Sequence, residues 1–207
     1  MQCLPHQYSL TDFHLPFLSL FKNQEGEIFT YTAIDLLNAN GKYEEALEKI
    51  NILLENDPSD EQALITKSGI FMKMGDFASA QSVLNNILKK NPESYSARRS
   101  LVQVLLRTGW YEQANSIIVP LMVETPSDTA LLLMKGQLSM ALNNYEQAIQ
   151  ELIKAKTLET DNLFASELLV KAYENSGELR SAISEVNHLL RNSFFAQCRL
   201  WSSYSIY

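Results

Sequence analysis

The feature of this sequence that most constrains its fold is a pattern that recurs every 34 residues, from Glu27 to Ala196. Each of five copies has a small turn residue, an aromatic or apolar residue two places later, and an alanine three places after that. The turn residues are Gly41, Gly75, Gly109, Asn143 and Gly177, followed by Tyr43, Phe77, Tyr111, Tyr145 and Leu179 and by Ala46, Ala80, Ala114, Ala148 and Ala182. A fixed period of this length predicts an array of stacked helical units.

Each copy is predicted to fold as two helices joined by a tight turn. Gly, or Asn at position 143, supplies the left-handed residue that ends the first helix. In the second helix, apolar residues follow helical spacing, as in Tyr43, Ala46 and Ile50. This helix is predicted to end just before a proline, because the residue before proline is pushed out of the α region. The residues at that position are Pro58, Pro92, Pro126, Thr160 and Phe194.

These series resemble the tetratricopeptide repeat (TPR) family, in which a small residue, an aromatic, an alanine and a proline occupy the same places in a helix-turn-helix. The resemblance implies an all-α fold, a right-handed superhelical solenoid of antiparallel helix pairs. Lys67 and Lys135 stand where the family usually has Leu, and their stems are expected to lie on apolar surface with the ammonium in water. Pro120 lies inside a predicted second helix and should bend it on its outer face. The five repeats are assigned to residues 27–60, 61–94, 95–128, 129–162 and 163–196.

The two segments outside the repeats are predicted to differ. In residues 1–26, the register of the period places Phe17, Leu20 and Phe21 at core positions of a second helix, so a short capping helix is expected there. The stretch from Phe194 onward has five aromatic residues and one charge, which makes it a poor cap. Residues 197–207 are therefore an aromatic tail or partial helix: a partial sixth helix, a docking surface for a partner or for self-association, or the ragged end of a shortened protein.

Charge and composition exclude several classes of function. A net charge of −7 gives no overall attraction to nucleic acid. No apolar run reaches the ~18 to 20 residues that a transmembrane helix needs, and residues 15–21 are a poor signal-peptide core because Pro16 interrupts them and no Lys or Arg precedes them. Cys3 and Cys198 lack the spacing of a zinc site or disulfide framework. A cytoplasmic location is expected, with a periplasmic or secreted one left open.

No catalytic motif stands out in the sequence. It has no nucleophile beside a base and no Gly-rich loop that could bind phosphate. Its neighbouring carboxylates are explained as surface residues and not as an acid/base pair. His6, His14 and His188 are scattered rather than spaced as metal ligands. We therefore predict a protein that is not an enzyme and that has no catalytic residue, no metal site and no cofactor.

What the TPR resemblance implies for function is a concave groove that is lined by the first helix of each repeat and binds a peptide or helix of a partner protein. Arg99, Gln103 and Arg107 share one helical face in this groove. Because Arg pairs with carboxylates and Met adapts to varied apolar shapes, the predicted ligand has apolar side chains and one or two carboxylates. The predicted groove residues are Tyr31, Asp35, Ile65, Met72, Lys73, Arg99, Gln103, Arg107, Leu133, Gln137, Met140 and Lys171.

Two further interpretations depend on single positions. Some TPR proteins hold a chaperone carboxylate with a Lys and Asn clamp, but Tyr31 and Asp35 occupy those positions here, which disfavours a clamp. Gly69 lies inside a predicted helix, where Gly costs about 1 kcal/mol relative to Ala. It either clears space for a ligand or eases packing against a neighbouring repeat. The alternative function is a structural subunit that assembles through the apolar ends of the array.

Overall fold

The helices follow the period of the sequence. A computed structural model describes the chain over residues 29–204, and the side chains over residues 29–191. Within this part the chain contains ten helices and no strand, which confirms the predicted all-α fold class. They are α1 (29–39), α2 (Tyr43–Asn56), α3 (Glu61–Met74), α4 (Phe77–Lys90), α5 (Tyr95–Thr108), α6 (Tyr111–Glu124), α7 (Thr129–Ala141), α8 (Tyr145–Leu158), α9 (Leu163–Ser176) and α10 (Leu179–Tyr204).

The turns inside the helix pairs use the left-handed residues that the sequence predicts. Gly109 ends α5 with a φ of 81°, and Asn143, with a φ of 59°, takes the same role after α7. Asn tolerates this region better than most side chains, because its amide can hydrogen-bond locally. The prediction of a left-handed turn residue is confirmed in every repeat, and the two helices joined by the turn pack against each other in the pairs α5 and α6, α7 and α8, and α9 and α10.

The first helices of four repeats begin at a second periodic series of residues, their N-terminal caps, which the sequence analysis missed. Asp60, Ser94, Asp128 and Asn162 are spaced 34 residues apart, and each side chain accepts a hydrogen bond from a backbone amide at the start of α3, α5, α7 or α9. Such caps satisfy amides that the helix leaves unpaired, and each is worth about 1 kcal/mol. The connections between repeats therefore set where the next first helix begins.

The first of two compact units spans Met1–Gly75. Its α2 and α3 pack against each other, and Ile34 from α1 joins Ile50 and Ile70 in one apolar cluster. Ala46 and Ala63 are fully buried in this cluster and keep the helices close. Lys67 is half-buried, and its Nζ donates a hydrogen bond to Asn51 Oδ1 at 2.8 Å.

The second unit spans Asp76–Tyr207, so the division falls in the turn within the repeat assigned to residues 61–94. From α4 to α10 each helix packs against the next. The apolar cluster of α8 and α9 contains Leu152, Leu169 and Ala172, all buried. The periodic alanines Ala80, Ala114, Ala148 and Ala182 are also buried, which confirms their predicted role in close helix packing.

Lys135 departs from its expected environment. The residue is 9 % exposed, and its Nζ donates to Asn115 Oδ1 of α6 at 2.7 Å, so the expectation of an ammonium in water is wrong here. Burial lowers the pKa of this ammonium, and the charge of Glu151 opposes the shift. The amide of Asn115 replaces part of the hydration that the ammonium loses, because a buried charge without a hydrogen-bond partner is costly.

The sequence predicts a bend at Pro120 in α6 and an end near Phe194 for the second helix of the fifth repeat. Helix α6 continues through Pro120, which is exposed. Helix α10 runs from Leu179 to Tyr204 without a break at Phe194. Residues 197–204 thus continue α10 instead of starting a separate sixth helix. The capping helix predicted around Phe17 and Leu20 lies outside the described residues.

Two helical glycines are expected to respond in opposite ways to replacement with alanine. A Cβ on Gly69 would meet no atom within 4 Å, whereas one on Gly136 would lie 2.7 Å from Cγ and Cδ2 of the fully buried Leu152. Gly69→Ala should therefore stabilise the protein by about 1 kcal/mol through helix propensity. Gly136→Ala should destabilise it, because overpacking costs about 1 to 3 kcal/mol.

Urea denaturation followed by circular dichroism measures both changes. If the free energies of unfolding of the two variants shifted equally in the same direction, the open space assigned to Gly69 and the tight contact assigned to Gly136 would be contradicted. Because the space beside Gly69 is open, close packing does not require this glycine.

Candidate functional site

A cleft of about 340 Å³ lies on the second unit, on the side formed by the first helices of three repeats. Helix α7 contacts both α5 and α9, so side chains from the three helices meet there. Residues four apart on α5 share one helical face, which brings Arg99, Gln103 and Arg107 to the same wall. The lining residues are Arg99, Ser100, Gln103, Leu106, Arg107, Ala130, Leu133, Met134, Gln137 and Phe164.

Five of the predicted groove residues line this cleft, and the other seven are not among its lining residues. The five are Arg99, Gln103, Arg107, Leu133 and Gln137. Met140, although predicted to line the groove, packs against the apolar cluster of α8 and α9. Lys171 is exposed on α9 and does not line the cleft.

The predicted groove residues of the first unit are not part of this cleft lining. Tyr31 packs against the apolar cluster of that unit, and its hydroxyl donates to Asp60 Oδ2 at 2.9 Å. This contact ties α1 to the cap of α3, so Tyr31 has a structural role. Asp35 and Lys73 are exposed, and the remaining two residues, Ile65 and Met72, are half-buried.

The period relates some of the lining residues that the sequence analysis missed to one another. Met134 lies 34 residues after Ser100, and Phe164 lies 34 residues after Ala130. The same step relates Gln103 to Gln137. The step does not hold at every position, because Met140 lies 34 residues after Leu106 and Lys171 lies 34 residues after Gln137, and neither of them lines the cleft.

Arg99 is held in place by two neighbours. Its Nη1 lies 3.7 Å from Asp128 Oδ2, and its Cζ lies 5.9 Å from the centre of the Tyr95 ring. The Tyr95 hydroxyl in turn donates a hydrogen bond to the same carboxylate oxygen. A cation over an aromatic face gains about 0.5 to 1 kcal/mol at exposed sites. The Arg99 charge is therefore oriented and partly balanced before any ligand arrives.

Asp128 is the centre of this arrangement. Burial raises the pKa of its carboxyl, but hydrogen bonds from Tyr95 and from the amides of Leu131 and Ala130 outweigh burial and lower the pKa below its usual value. Burial, followed by the hydrogen bond to Asp128, raises the pKa of the Tyr95 phenol. Asp128 thus stays ionised, caps α7 and holds Arg99 at the cleft wall.

Arg107 differs from Arg99 because no acidic side chain balances it. Its Cζ lies 5.8 Å from the centre of the Phe77 ring, and it forms no ion pair with any residue in the described part of the chain. The side chain is exposed. Of the two arginines in the cleft, Arg107 is the one whose guanidinium is available to a carboxylate.

The chemistry of the lining suits binding rather than catalysis. It combines two arginines, two glutamines and a serine with the apolar side chains of Leu106, Leu133, Met134 and Phe164, and it contains no acidic residue. Across the residues described, three or more His, Cys, Asp and Glu side chains never gather in a way that could hold a metal ion. In the same part of the chain, every helix is too short or too polar to cross a membrane.

Comparison with known proteins places the chain among helical repeats. The model of the TT21 fifth ARM repeats domain matches residues 61–171, just over half of the chain. No curated protein matches the sequence. Among solved structures, a thermophilic TPR protein of Thermus thermophilus is 23% identical with a TM-score of 0.69, and the alignment covers 80% of this chain and 90% of that one.

Two other solved structures share the fold. MamA from Desulfovibrio magneticus RS-1, residues 41 to the end, is 18% identical with a TM-score of 0.65, covering 79% of this chain and 92% of that chain. A TPR protein from Parabacteroides merdae ATCC 43184 is 15% identical with a TM-score of 0.67, covering 78% of this chain and 63% of that chain. These likenesses show a TPR-like helical-repeat fold.

Proposed function

Since the chain belongs to the family of the TT21 fifth ARM repeats domain, we propose that it is a non-enzymatic protein-interaction module. The cleft of α5, α7 and α9 binds a segment of a partner protein that carries apolar side chains and at least one carboxylate. Helical-repeat domains bind partners through extended surfaces built from successive repeats. The cleft spans three repeats in this way, because Arg99, Leu133 and Phe164 come from three different first helices.

The observation that carries the proposal is the charge of the cleft. The whole chain has a net charge of −7, yet the lining of the cleft has two arginines and no acidic residue. Cationic clefts raise the local concentration of anionic ligands and increase their association rate. An acidic partner segment is therefore attracted to the cleft and repelled by much of the remaining surface.

The two arginines have different roles in this proposal. Arg107 pairs with a ligand carboxylate, since a guanidinium fork can donate two hydrogen bonds to one carboxylate. Arg99 already interacts with Asp128 and Tyr95, so it shapes the wall and adds positive potential. An exposed ion pair between Arg107 and a ligand carboxylate contributes about 0.2 to 1 kcal/mol to binding and weakens as the salt concentration increases.

The apolar lining supplies the remaining affinity. Leu133 and Phe164 present apolar surface from neighbouring repeats, and Met134 can adapt its shape to different ligand side chains. Gln103 and Gln137 lie at equivalent positions of successive repeats, and each amide offers both a donor and an acceptor to a ligand backbone. The site therefore fits a short peptide segment better than a small anion.

A random peptide library displayed on phage tests the proposal directly. Panning against the wild-type protein, with counter-selection on the Arg99→Ala/Arg107→Ala variant, should enrich sequences that combine Asp or Glu with Leu or Phe. For a synthetic peptide of the enriched sequence, titration calorimetry should show that Arg107→Ala weakens binding up to about fivefold at low salt, the equivalent of an exposed ion pair of about 1 kcal/mol. The loss should shrink at high salt.

Lys154→Ala is the matched control. Lys154 is exposed on α8 and lies outside the cleft, so this variant removes the same charge without touching the lining. Its affinity for the peptide should equal that of the wild-type protein. If Lys154→Ala weakened binding as much as Arg107→Ala, the attraction would come from overall charge and the cleft would not be the site.

A further inference from the structure

The last helix of the second unit exposes an apolar stripe. Leu179, Ile183, Val186 and Leu190 of α10 have exposures of 62 %, 61 %, 39 % and 60 %. Their spacing of four, three and four residues places them on one side of the helix. The neighbouring side of α10, which includes the buried Ala182, packs against α9. The stripe is therefore a second apolar face, distinct from the one that holds α10 in the fold.

The repeat register shows what kind of surface this stripe is. Val186 occupies the position that is fully buried in the other four repeats, and Ile183 occupies that of Ile149, which is buried in the α8 and α9 cluster. In those repeats the second helix packs against the first helix of the next repeat. The four counterparts of Val186 are Ile50, Leu84, Ile118 and Leu152. The α10 stripe thus has the composition and position of a face that packs against another helix.

We propose that the partner is a second copy of this chain, with the two α10 helices packed antiparallel. The spacing of four, three and four reads the same in both directions along the helix. When two copies are paired about a point between residues 184 and 185, Leu179 lies level with Leu190 of the second copy, and Ile183 lies level with Val186. Such self-complementarity is the requirement of a two-fold dimer interface.

The charges around the stripe permit this pairing. Residues 178–191 contain two acidic and two basic side chains, in contrast to the net charge of −7 of the chain. One of the acids, Glu185, already pairs with Lys156 of α8 at 2.5 Å. Arg180 and Asn187 flank the stripe on its other side, where an Arg donor of one copy comes close to an amide oxygen of the other. Two copies therefore meet without strong repulsion.

A pairing of α10 with the opposite end of a second copy is the competing arrangement. Helix α1 also exposes two large apolar residues, Phe29 and Leu36, which are 73 % and 61 % exposed. The sequence assigns the covering of that end to residues 1–26 of the same chain. Helix α1 exposes two such residues and the α10 stripe exposes four, so we assign the contact to two α10 helices.

Sedimentation equilibrium over a range of protein concentrations tests the proposal. The wild-type chain should shift from the mass of one chain to that of two, and no further. Ile183→Glu/Val186→Glu should remain at the mass of one chain with unchanged helix content. If that variant lost helix content, Ile183→Ser/Val186→Ser provides the same test without new charge.

Val119→Glu/Val123→Glu on α6 is the matched control. It adds the same charge at exposed apolar positions away from the stripe, and it should dimerise as the wild-type chain does. Phe29→Glu/Leu36→Glu should also dimerise, because α1 is not part of the contact. The proposal would be overturned if Phe29→Glu/Leu36→Glu failed to dimerise. It would also be overturned if the wild-type protein exceeded the mass of two chains, or if it kept the mass of one chain at every concentration. None of these measurements depends on the cleft of α5, α7 and α9.

Discussion

Replacing Ala114 with Phe should lower the free energy of unfolding by about 1 to 3 kcal/mol or more. Ala114 is fully buried in α6, which packs against α5 and α7. The aromatic ring needs space that a close-packed interior lacks, so the neighbouring helices would have to move apart. Urea denaturation followed by circular dichroism measures the loss.

Ala78→Phe is the control for this substitution. Ala78 also lies in a second helix of a pair, but it is exposed, so the same change in size has room. Its unfolding midpoint should stay close to that of the wild-type protein. An Ala114→Phe variant as stable as the wild-type protein would contradict the close packing of the two helices of a repeat.

Replacing Asp128 with Ala should be at least as damaging. The variant loses the cap of α7, which costs about 1 kcal/mol, and leaves the half-buried Tyr95 hydroxyl without its acceptor, which costs a further ~1 to 3 kcal/mol. Asp128 accepts hydrogen bonds from the amides of Ala130 and Leu131 at 2.8 and 3.1 Å. Asp161→Ala removes an exposed carboxylate next to the corresponding cap of α9 and should have little effect.

The same carboxyl makes stability depend on pH in the acid range. The folded state lowers the pKa of Asp128 below its unfolded value of about 3.9. A group of this kind contributes stability that is fully present above its unfolded pKa and is lost as the pH falls through its folded pKa. Wild-type stability should therefore fall from about pH 4 downward more steeply than that of Asp128→Asn, which keeps a capping side chain and cannot titrate. Parallel pH profiles for the two proteins would refute the role of this carboxylate.

Part of the candidate site could be predicted, because the TPR resemblance implied which helices line a groove and helical spacing indicated which of their residues share a face. Arg99, Gln103 and Arg107 lie on one face because they are four residues apart, and they do line the cleft. Met140 was predicted on the same grounds, but it does not line the cleft and packs against the cluster of α8 and α9. The spacing within a helix fixes which residues share a face, whereas the distance to the neighbouring helix decides which of them remain accessible.

The sequence by itself determined the helix pairs, their turns and the positions of the periodic alanines. These features depend on local sterics and on a period that repeats along the chain, as the left-handed Asn143 and the buried Ala114 illustrate. Only the tertiary structure decided that Arg99 is paired while Arg107 is available, and that Lys135 is buried on Asn115. Those outcomes depend on side chains 20 or more residues apart in the chain. Contacts of that kind exist only once the helices have packed, because the partner is brought near by the fold and not by the spacing in the sequence.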